Sequence, residues 1–315
     1  MTKSESDVDR VSKWWAQTPE QFQQRALTNW MGHNHVRSYI NRRITGDKTL
    51  DWLSYVIRKY FQTPVQRALS LGCGDGGLER HALAMGAVNY FDAYDVSEGA
   101  IESARRVAEE ADLLGQIRYA VTDLNQLELS QGVYDAIFAS MSIHHIQSLE
   151  IVFSEVRKAL TPSGLFIINE YIGPTRFQLP ANQLDVINEL LRILPLRYRR
   201  LIRDGNPTDE VKQTHSLHTH EWFAENDPSE AVRSGELLPL LREFFEVVEF
   251  KPYGGALLHF LLENIVGNFN DDREDDRAWL NMMEYVESAL EQGQQINSDF
   301  AMIVARSKKD GESGK

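Results

Sequence analysis

The chain has 315 residues, of which 42% are hydrophobic, enough to bury a full core and to exclude wholesale disorder. Its 46 acidic and 33 basic residues leave a formal net charge of −13, which disfavours nucleic acid as the main partner. The single cysteine, Cys73, excludes an intrachain disulfide and a cysteine-based zinc site.

The first part of the chain is predicted to be helical. Its opening segment, MTKSESDVDR, is polar and unlike a signal peptide, and no apolar run in the chain is long enough to span a bilayer. We therefore expect a cytoplasmic protein with no membrane association. Residues 1–63 are rich in aromatic side chains such as Trp14, Trp15 and Trp30, with apolar residues at helical spacing, and are predicted to form an N-terminal cap.

From residue 64 onward, short apolar runs alternate with amphipathic helices, as is typical of a parallel sheet wound with helices. Ser97 is predicted to cap the helix that follows the second strand. The alternation continues to residue 170 and defines a core domain over residues 64–170. The predicted strands of this domain cover residues 68–71, 90–95, 117–121, 134–139 and 165–169.

The alternation then stops for a stretch far longer than an ordinary loop. We predict a helical insertion over residues 171–236 that covers the substrate site. A helix and a strand at residues 237–250, two further helices and a last strand at 300–305 complete the core domain, which resumes over residues 237–306. Residues 307–315 are a polar tail.

A glycine-rich loop, Gly72-Cys73-Gly74-Asp75-Gly76-Gly77, lies between the first strand and the next helix. Glycines there permit a tight turn and close approach of backbone N–H groups to a ligand. The spacing of Gly72, Gly74 and Gly77, with Asp95 at the end of the second strand, fits the dinucleotide fingerprint. Gly72, Gly74 and Gly76 fit the looser loop of S-adenosylmethionine enzymes equally well, so spacing alone leaves both ligands open.

Other residues favour S-adenosylmethionine over a dinucleotide. Asp75 within the loop would repel a pyrophosphate, but not an ammonium or a sulfonium. Asp123 follows the third strand, where a carboxylate can accept a hydrogen bond from an adenine amino group. The closing strand, two helices and strand suit an antiparallel last pair better than a second mononucleotide-binding half.

Five segments in this order resemble the successive motifs of class I S-adenosylmethionine-dependent methyltransferases: LSLGCGDGGLERHAL, YFDAYDVSEGAIESAR, VTDL, YDAIFASMSIHHI and LTPSGLFIINEY. The resemblance covers residues 64–170 and the last two strands. It implies an α/β, Rossmann-like sheet of seven mostly parallel strands with an antiparallel last strand, and S-adenosyl-L-methionine as cofactor. Ser70 departs from the family, which often has an acid there. Three more segments resemble a bacterial subgroup of these enzymes: EYIGPTRFQ, DPSEAVRS and PYGGALLH.

The resemblance also implies which residues bind the cofactor. The loop backbone lines its methionine end, and the carboxylate of Asp95 accepts hydrogen bonds from the ribose hydroxyls. Asp123 is expected beside the adenine, although it could instead be a plain helix cap. The implied cofactor-binding residues are Gly72, Cys73, Gly74, Gly76, Asp95, Val96, Ser97, Asp123, Leu124, Ser140 and Met141.

Catalytic candidates follow the fourth and fifth strands, because the carboxyl ends of neighbouring parallel strands meet at one edge of the sheet. His144 and His145 follow the fourth strand and Glu170 ends the fifth. Any of the three could accept a proton from a hydroxyl substrate, although the histidines could also be structural and Glu170 could cap a turn.

Two clusters in the insertion carry further hypotheses. A loop from His215 to Glu221 holds three imidazoles and a carboxylate that could bind a divalent metal, but our prediction is that no metal is bound. An arginine cluster could clamp an anionic substrate, or could be a solvated face paired with surface acids. Its members are Arg192, Arg197, Arg199, Arg200 and Arg203.

Taken together, the sequence predicts methyl transfer from S-adenosyl-L-methionine to an oxygen or nitrogen atom of a small molecule. Two alternatives remain open: methylation of a protein or an RNA, and a non-catalytic module that keeps the fold and binds the cofactor. The sequence does not predict an oligomeric state.

Overall fold

The computed structural model describes residues 27–308, so Trp14, Trp15 and most of the polar tail lie outside the described residues. Its centre is one seven-stranded sheet in the order β3-β2-β1-β4-β5-β9-β8. Strand β9 runs antiparallel to both of its neighbours, and the other pairs in this sheet are parallel. This confirms the predicted sheet. The strands are β1 Ala68–Leu71, β2 Phe91–Asp95, β3 Ile117–Val121, β4 Tyr134–Ser140, β5 Leu160–Tyr171, β6 Arg200–Arg203, β7 Asn206–Val211, β8 Phe245–Gly254 and β9 Phe300–Ser307.

Helices cover both faces of the sheet, because side chains alternate along each strand and each face carries its own apolar core. Ala68 and Phe138 pack in one core with Ile101, whereas Leu69 and Ile137 pack in the other. The α-helices in the described range are α1 Asn34–Thr45, α2 Trp52–Tyr60, α3 Gly77–Ala84, α4 Glu98–Glu110, α5 Leu149–Ala159, α6 Ala181–Ile193, α7 His220–Asn226, α8 Ser234–Phe244, α9 Leu258–Leu262 and α10 Glu274–Gln292.

The insertion after β5 is not wholly helical, and that part of the prediction is wrong. Helices α6 and α7 lie in it, but β6 and β7 pair as an antiparallel hairpin between them. Asp204 and Gly205 form its two-residue turn with φ of 49° and 76°. Asp-Gly favours a turn of this kind, since both positions tolerate a left-handed backbone. The signal was in the sequence but was overlooked among the helical patterns around it.

The parallel strands bring the candidate residues to one edge of the sheet. The glycine loop follows β1, Asp95 ends β2, Ser140 ends β4, and Glu170 lies next to the end of β5. Among residues 27–308, no helix is long and apolar enough to cross a membrane.

A buried carboxylate joins α10 to the turn after β8. Glu287 is fully buried and accepts hydrogen bonds from the backbone N–H groups of Gly255, Leu257 and Leu258 at 3.0, 2.7 and 3.0 Å. The Tyr39 hydroxyl donates to it at 3.2 Å, which ties α1 to the same point. Glu287 thus stands in for the missing intrahelical partners at the start of α9.

We expect Glu287→Ala to lower the free energy of unfolding by about 3 kcal/mol or more, because three buried backbone donors lose their acceptor. Urea unfolding followed by circular dichroism measures the change. Glu274→Ala, an exposed acid on the same helix, is the matched control and should change stability by less than about 1 kcal/mol. Equal effects of the two substitutions would contradict this role of Glu287.

Candidate active site

Three glycines of the loop after β1 have a left-handed backbone, with φ of 70° at Gly72, 52° at Gly74 and 76° at Gly76. A Cβ atom at Gly72 would lie 2.3 Å from the Cβ of Ser142, and one at Gly76 would lie 2.4 Å from the Tyr119 hydroxyl oxygen. These two positions therefore allow tight packing of the loop. Gly74 has no atom within 4 Å of the corresponding point, so its backbone faces open space.

Asp95 holds this loop from the end of β2. One carboxylate oxygen accepts a hydrogen bond from the Gly74 N–H at 2.9 Å, and the other accepts from the Ser97 N–H at 2.8 Å. Burial raises the pKa of Asp95, partly offset by these backbone donors. Each oxygen keeps a further lone pair that can accept from a ligand hydroxyl.

The residues after β2 and β3 lie beside the loop in helix-capping positions. Ser97 is buried, and its hydroxyl accepts from the Ala100 N–H at 3.3 Å, as a cap of α4. Asp123 accepts from the Asn125 N–H at 2.9 Å and from the Gln126 side chain at 2.8 Å. The capping role proposed as the alternative for Asp123 is thus present. Its contact with adenine stays a prediction, as do the roles of Val96 and of the buried Leu124.

The turn after β4 is tied to both neighbouring strands. Met141 is partly exposed, has a φ of 53°, and donates its N–H to the Asn169 carbonyl at 2.9 Å. The Ser142 hydroxyl donates to the Leu71 carbonyl at 2.7 Å. This bond joins the turn to the start of the glycine loop. Ser140 is half-buried at the end of β4.

Glu170 is the centre of the hydrogen bonds at this edge. Its fully buried carboxylate accepts from the Ser142 and Ile143 N–H groups at 2.8 Å each, and from the Tyr171 N–H at 2.8 Å. The Nδ1 atom of His144 makes a short contact with the same carboxylate. Glu170 is therefore buried with four partners, one of which is His144, and its catalytic role stays a prediction.

His144 is 5% exposed and lies between two carboxylates. Nδ1 faces Glu170, and Nε2 lies 3.5 Å from an oxygen of Glu230, which the insertion contributes. Burial lowers the pKa of His144, but the charges of Glu170 and Glu230 outweigh it and raise the pKa to about 9. Burial raises the pKa of Glu230 to about 7, although His144 opposes the shift.

His145 lies beside His144 but has the opposite electrostatics. The two ring centroids are 4.0 Å apart, and the His145 Nδ1 atom lies 3.2 Å from the Ser229 hydroxyl. Burial and the neighbouring charge of His144 lower the pKa of His145 well below its usual value. The structure thus brings His144, His145 and Glu170 together, as the order of the strands predicted.

A loop of the insertion, residues 227–230, carries Glu230 to this cluster. The Arg176 guanidinium donates to the backbone carbonyls of Asp227, Pro228 and Glu230 at 3.2, 2.7 and 2.9 Å. The sequence analysis missed both Arg176 and Glu230. The only signal was that their segments, EYIGPTRFQ and DPSEAVRS, had been singled out without any chemistry assigned to them.

Within residues 27–308, one group of three possible metal ligands converges. It consists of His144, His145 and Glu230, whose ligand atoms all lie within 4.8 Å of one another. The predicted loop from His215 to Glu221 does not assemble in this way, since His215 packs against Phe260 at 5.1 Å between ring centroids and His218 stacks on Trp222 at 3.8 Å. A nitrogen and carboxylate set suits zinc or a related divalent ion. The absence of a metal stays a prediction.

Most arginines of the cluster pair with surface acids, as expected if the cluster is a solvated face and not an anion clamp. Arg203 lies 2.7 Å from Glu210, and Arg192 lies 2.5 Å from Glu189 in the preceding helical turn. Arg197 lies 3.6 Å from the exposed Asp275 and Arg200 lies 3.9 Å from Asp209, while Arg199 donates to the Gln213 side chain at 3.2 Å.

Comparison with protein families gives one match. Residues 69–168 match the model of the methyltransferase domain family. This segment begins in β1 and ends in β5, and includes the glycine loop, Asp95 and both histidines. The insertion that carries Glu230 lies outside it.

Curated relatives match over the same part of the chain. A sterol 24-C-methyltransferase of Gibberella zeae is 28% identical over 109 residues, which are 35% of this chain and 28% of that protein. A sterol 24-C-methyltransferase of Saccharomyces cerevisiae is 26% identical over 120 residues, 37% of this chain and 31% of that protein. The chain thus spans less than a third of the length of these relatives.

Solved structures match over nearly the whole chain at low identity. Geranyl diphosphate C-methyltransferase from Streptomyces coelicolor, in complex with Mg2+, geranyl diphosphate and S-adenosyl-L-homocysteine, has a TM-score of 0.55 and 10% identity. The match covers 98% of this chain and 100% of that one. A geranyl diphosphate methyltransferase in complex with S-adenosylmethionine has a TM-score of 0.51 and 13% identity over 86% of this chain and 91% of that one. At such identities the likeness shows the fold.

The two neighbouring histidines should titrate in opposite ranges. With its pKa of about 9, His144 is expected to be doubly protonated at pH 8, while His145 should gain its second proton only well below its ordinary range because burial and His144 disfavour its charge. Long-range proton–nitrogen NMR spectra of the two rings measure both states, with His144→Gln used to assign the signals. A His144 pKa near the ordinary value of about 6.5 would contradict the claim that two carboxylates beside the ring raise its pKa.

Proposed function

The chain carries the methyltransferase domain and the fold of the class I S-adenosylmethionine-dependent methyltransferases, and we propose that it methylates an oxygen or nitrogen atom of a small molecule. One observation carries the proposal. The open glycine loop braced by Asp95 lies at the same sheet edge as a buried histidine bracketed by carboxylates. A cofactor site and a group able to handle a proton are therefore side by side.

The residues at the loop fit S-adenosyl-L-methionine. The backbone at Gly74 faces open space, and Asp95 keeps lone pairs for ribose hydroxyls. When bound, this cofactor supplies a methyl group already activated on a sulfonium. We assign the methionine end to Gly72, Cys73, Gly74 and Gly76, the ribose to Asp95, Val96 and Ser97, the adenine to Asp123 and Leu124, and the vicinity of the sulfur to Ser140 and Met141.

A hydroxyl acceptor must also lose its proton, and the bracketed histidine suggests how. Glu230 has a pKa of about 7, and its side chain is 20% exposed, against 0% for Glu170 and 6% for that of His144. In this proposal the ionised carboxylate of Glu230 takes the proton, and His144 stabilises the negative charge of that carboxylate before the transfer. Glu170 orients the ring, in the manner of a base held by a third group. His145 is a neutral imidazole beside this pair, and its contact with the acceptor stays a prediction.

The charges around the cluster favour a neutral acceptor over an anionic one. Glu170, Glu230 and Asp227 bring three carboxylates close to His144, and Arg176 is the cation that faces them. Three members of the arginine cluster that could clamp an anion, Arg192, Arg197 and Arg203, are paired with exposed acids. A neutral hydroxyl or amine avoids repulsion from these acids.

A carbon acceptor on an apolar molecule is the second candidate. Aromatic rings surround the end of β5 beside His144: Tyr171 lies 5.0 Å from Phe177, which lies 5.6 Å from His259 and 5.5 Å from Phe260, measured between ring centroids. The relatives named for sterol C-24 and for geranyl diphosphate carry carbon-methylating names. Mass spectrometry of the methylated product separates carbon from oxygen or nitrogen attachment.

Two measurements test the proposed function against its alternatives. Calorimetry of the purified protein with S-adenosylhomocysteine tests cofactor binding, and a folded protein that does not bind it would refute the proposal. Turnover is then measured with a small-molecule ultrafiltrate of a cell extract, and separately with its protein and RNA fractions. S-adenosylhomocysteine formed only with a macromolecular fraction would favour a protein or RNA acceptor. Binding without turnover on any fraction would favour a non-catalytic module.

Asp95→Ala should weaken S-adenosylhomocysteine binding about ten- to a hundred-fold, because it removes charge-assisted hydrogen bonds worth about 1.5–3 kcal/mol each. Calorimetry measures the dissociation constant. Glu98→Ala, an exposed acid at the start of α4, is the matched control and should leave it within about twofold. An unchanged constant in Asp95→Ala would show that this carboxylate does not bind the ribose.

Glu230→Gln and His144→Gln should each lower kcat about a hundred-fold for a hydroxyl acceptor, while S-adenosylhomocysteine affinity holds. In the wild type, activity should fall as the pH drops through about 7, because protonated Glu230 cannot accept a proton. Initial rates across pH measure both effects. Glu243→Gln, an exposed acid on α8, serves as control. Full activity of both variants would show that neither Glu230 nor His144 takes part in catalysis.

A further inference from the structure

Glu79 is a buried carboxylate in the helix that follows the glycine loop, and its charge acts on the loop residue Cys73. It lies in the first turn of α3, three residues after Gly76, the loop residue that precedes the helix. Its side chain is fully buried, and within residues 27–308 neither oxygen has a partner at good hydrogen-bond geometry, although the Ser70 hydroxyl lies close enough to favour the ionised form. Burying a carboxylate without a partner is costly, so its presence here calls for a physical reason.

The groups around Glu79 do not neutralise it. Ser70 and Arg80 favour its ionised form, but burial is stronger and raises the pKa of Glu79 to about 7. The Arg80 guanidinium is engaged elsewhere, donating to the Asp75 carbonyl at 2.5 Å. The buried Tyr119 hydroxyl likewise has no partner at good hydrogen-bond geometry within the described part of the chain, although Arg80 lies close enough to lower its pKa.

The charge of Glu79 reaches the loop. Burial raises the pKa of the Cys73 thiol, and Glu79 raises it further. Glu79 acts in the same direction on Tyr119, whose hydroxyl lies 2.4 Å from the position of a Cβ at Gly76. Cys73 belongs to the loop and Tyr119 packs against Gly76, so a positive charge bound on the loop would be attracted to an ionised Glu79 through a medium of low dielectric.

The proposed ligand of this loop carries that positive charge, as an ammonium on its methionine end and a sulfonium beside it. We propose that near neutral pH Glu79 is protonated in part of the free protein molecules and ionises in all of them when the cofactor binds, so that binding releases this proton to solvent. The carboxylate then supplies the negative charge opposite the methionine end. Ser70, which lies beside Glu79 at the position where the family often has an acid, carries no charge of its own. The inference rests on the proposed cofactor binding.

Other titratable groups near the loop can be told apart from Glu79. Two of these groups belong to the loop itself: the Cys73 thiol has a raised pKa, and the Asp75 side chain is 45% exposed. Asp95 at the end of β2 holds the loop backbone, and Tyr119 on β3 has a pKa above its usual value. His81 lies on α3 itself, but its ring faces Ser54 of α2 at 3.4 Å.

Calorimetry with S-adenosylhomocysteine at several pH values, in buffers of different ionisation enthalpy, tests the proposal. Affinity should fall about five- to tenfold from pH 7.5 to pH 6, and binding near pH 7 should release about half a proton, as expected for a group of pKa about 7. The range stops at pH 7.5 because an α-amino group loses its own proton near pH 8. 5′-Methylthioadenosine lacks the amino acid and should release no proton.

Glu79→Gln is the decisive variant, since it mimics the protonated side chain and needs no buried charge. It should bind S-adenosylhomocysteine with an affinity that hardly changes from pH 6 to pH 7.5 and without proton release. Tyr119→Phe and His81→Gln are controls that should keep the release. Urea unfolding checks that each variant is folded, and the comparison of the two ligands on the wild type needs no variant.

The outcomes separate this inference from the proposed function. If S-adenosylhomocysteine does not bind, the proposed function fails and the inference fails with it. If it binds without releasing a proton, or if Glu79→Gln releases as much as the wild type, the inference alone is overturned. Release that disappears in His81→Gln would assign the proton to that histidine and equally overturn it.

Discussion

The hydrogen bonds accepted by Glu170 determine the geometry of the whole reactive edge. One carboxylate, at the end of β5, satisfies two N–H groups of the turn after β4 and also holds His144. Through Ser142 that turn is joined to the carbonyl of Leu71 at the start of the glycine loop. Because all these groups are buried, losing the carboxylate would leave several donors without acceptors at once. The glycine loop and the histidine cluster therefore share one support.

This acidic chain uses buried carboxylates for different purposes, and their partners tell the purposes apart. Glu287 and Glu170 accept from several backbone donors and are structural anchors. Glu230 faces a histidine and remains partly exposed, which suits a group that exchanges a proton. Glu79 is fully buried and has no partner at good hydrogen-bond geometry within residues 27–308, which is the reason for proposing that it faces a ligand charge. In our proposals a buried carboxylate of this chain thus serves as an anchor, a base or a charge complement, according to its hydrogen-bond donors.

The segment shared with known methyltransferase domains and the parts outside it have different tasks. The shared segment, residues 69–168, contains the loop, Asp95 and the histidines. The insertion lies outside it and brings Glu230 to His144, with Arg176 fixing the loop that carries it. In our proposal the common segment therefore holds the cofactor, whereas the insertion completes the proton-handling group and shapes the acceptor side.

The sequence by itself determined the sheet and most of its strands, because local alternation, glycines and caps report on neighbouring residues. It predicted β3 with its observed bounds and Ser97 as a cap. It also predicted that Glu170 would lie near the histidines, because the ends of adjacent parallel strands must meet. Only the tertiary structure decided that Glu230 faces His144 and that Glu79 is buried without a partner. Such pairings depend on how the insertion folds back onto the core and on which donors reach a side chain. Neither of these produces a periodic pattern in the sequence.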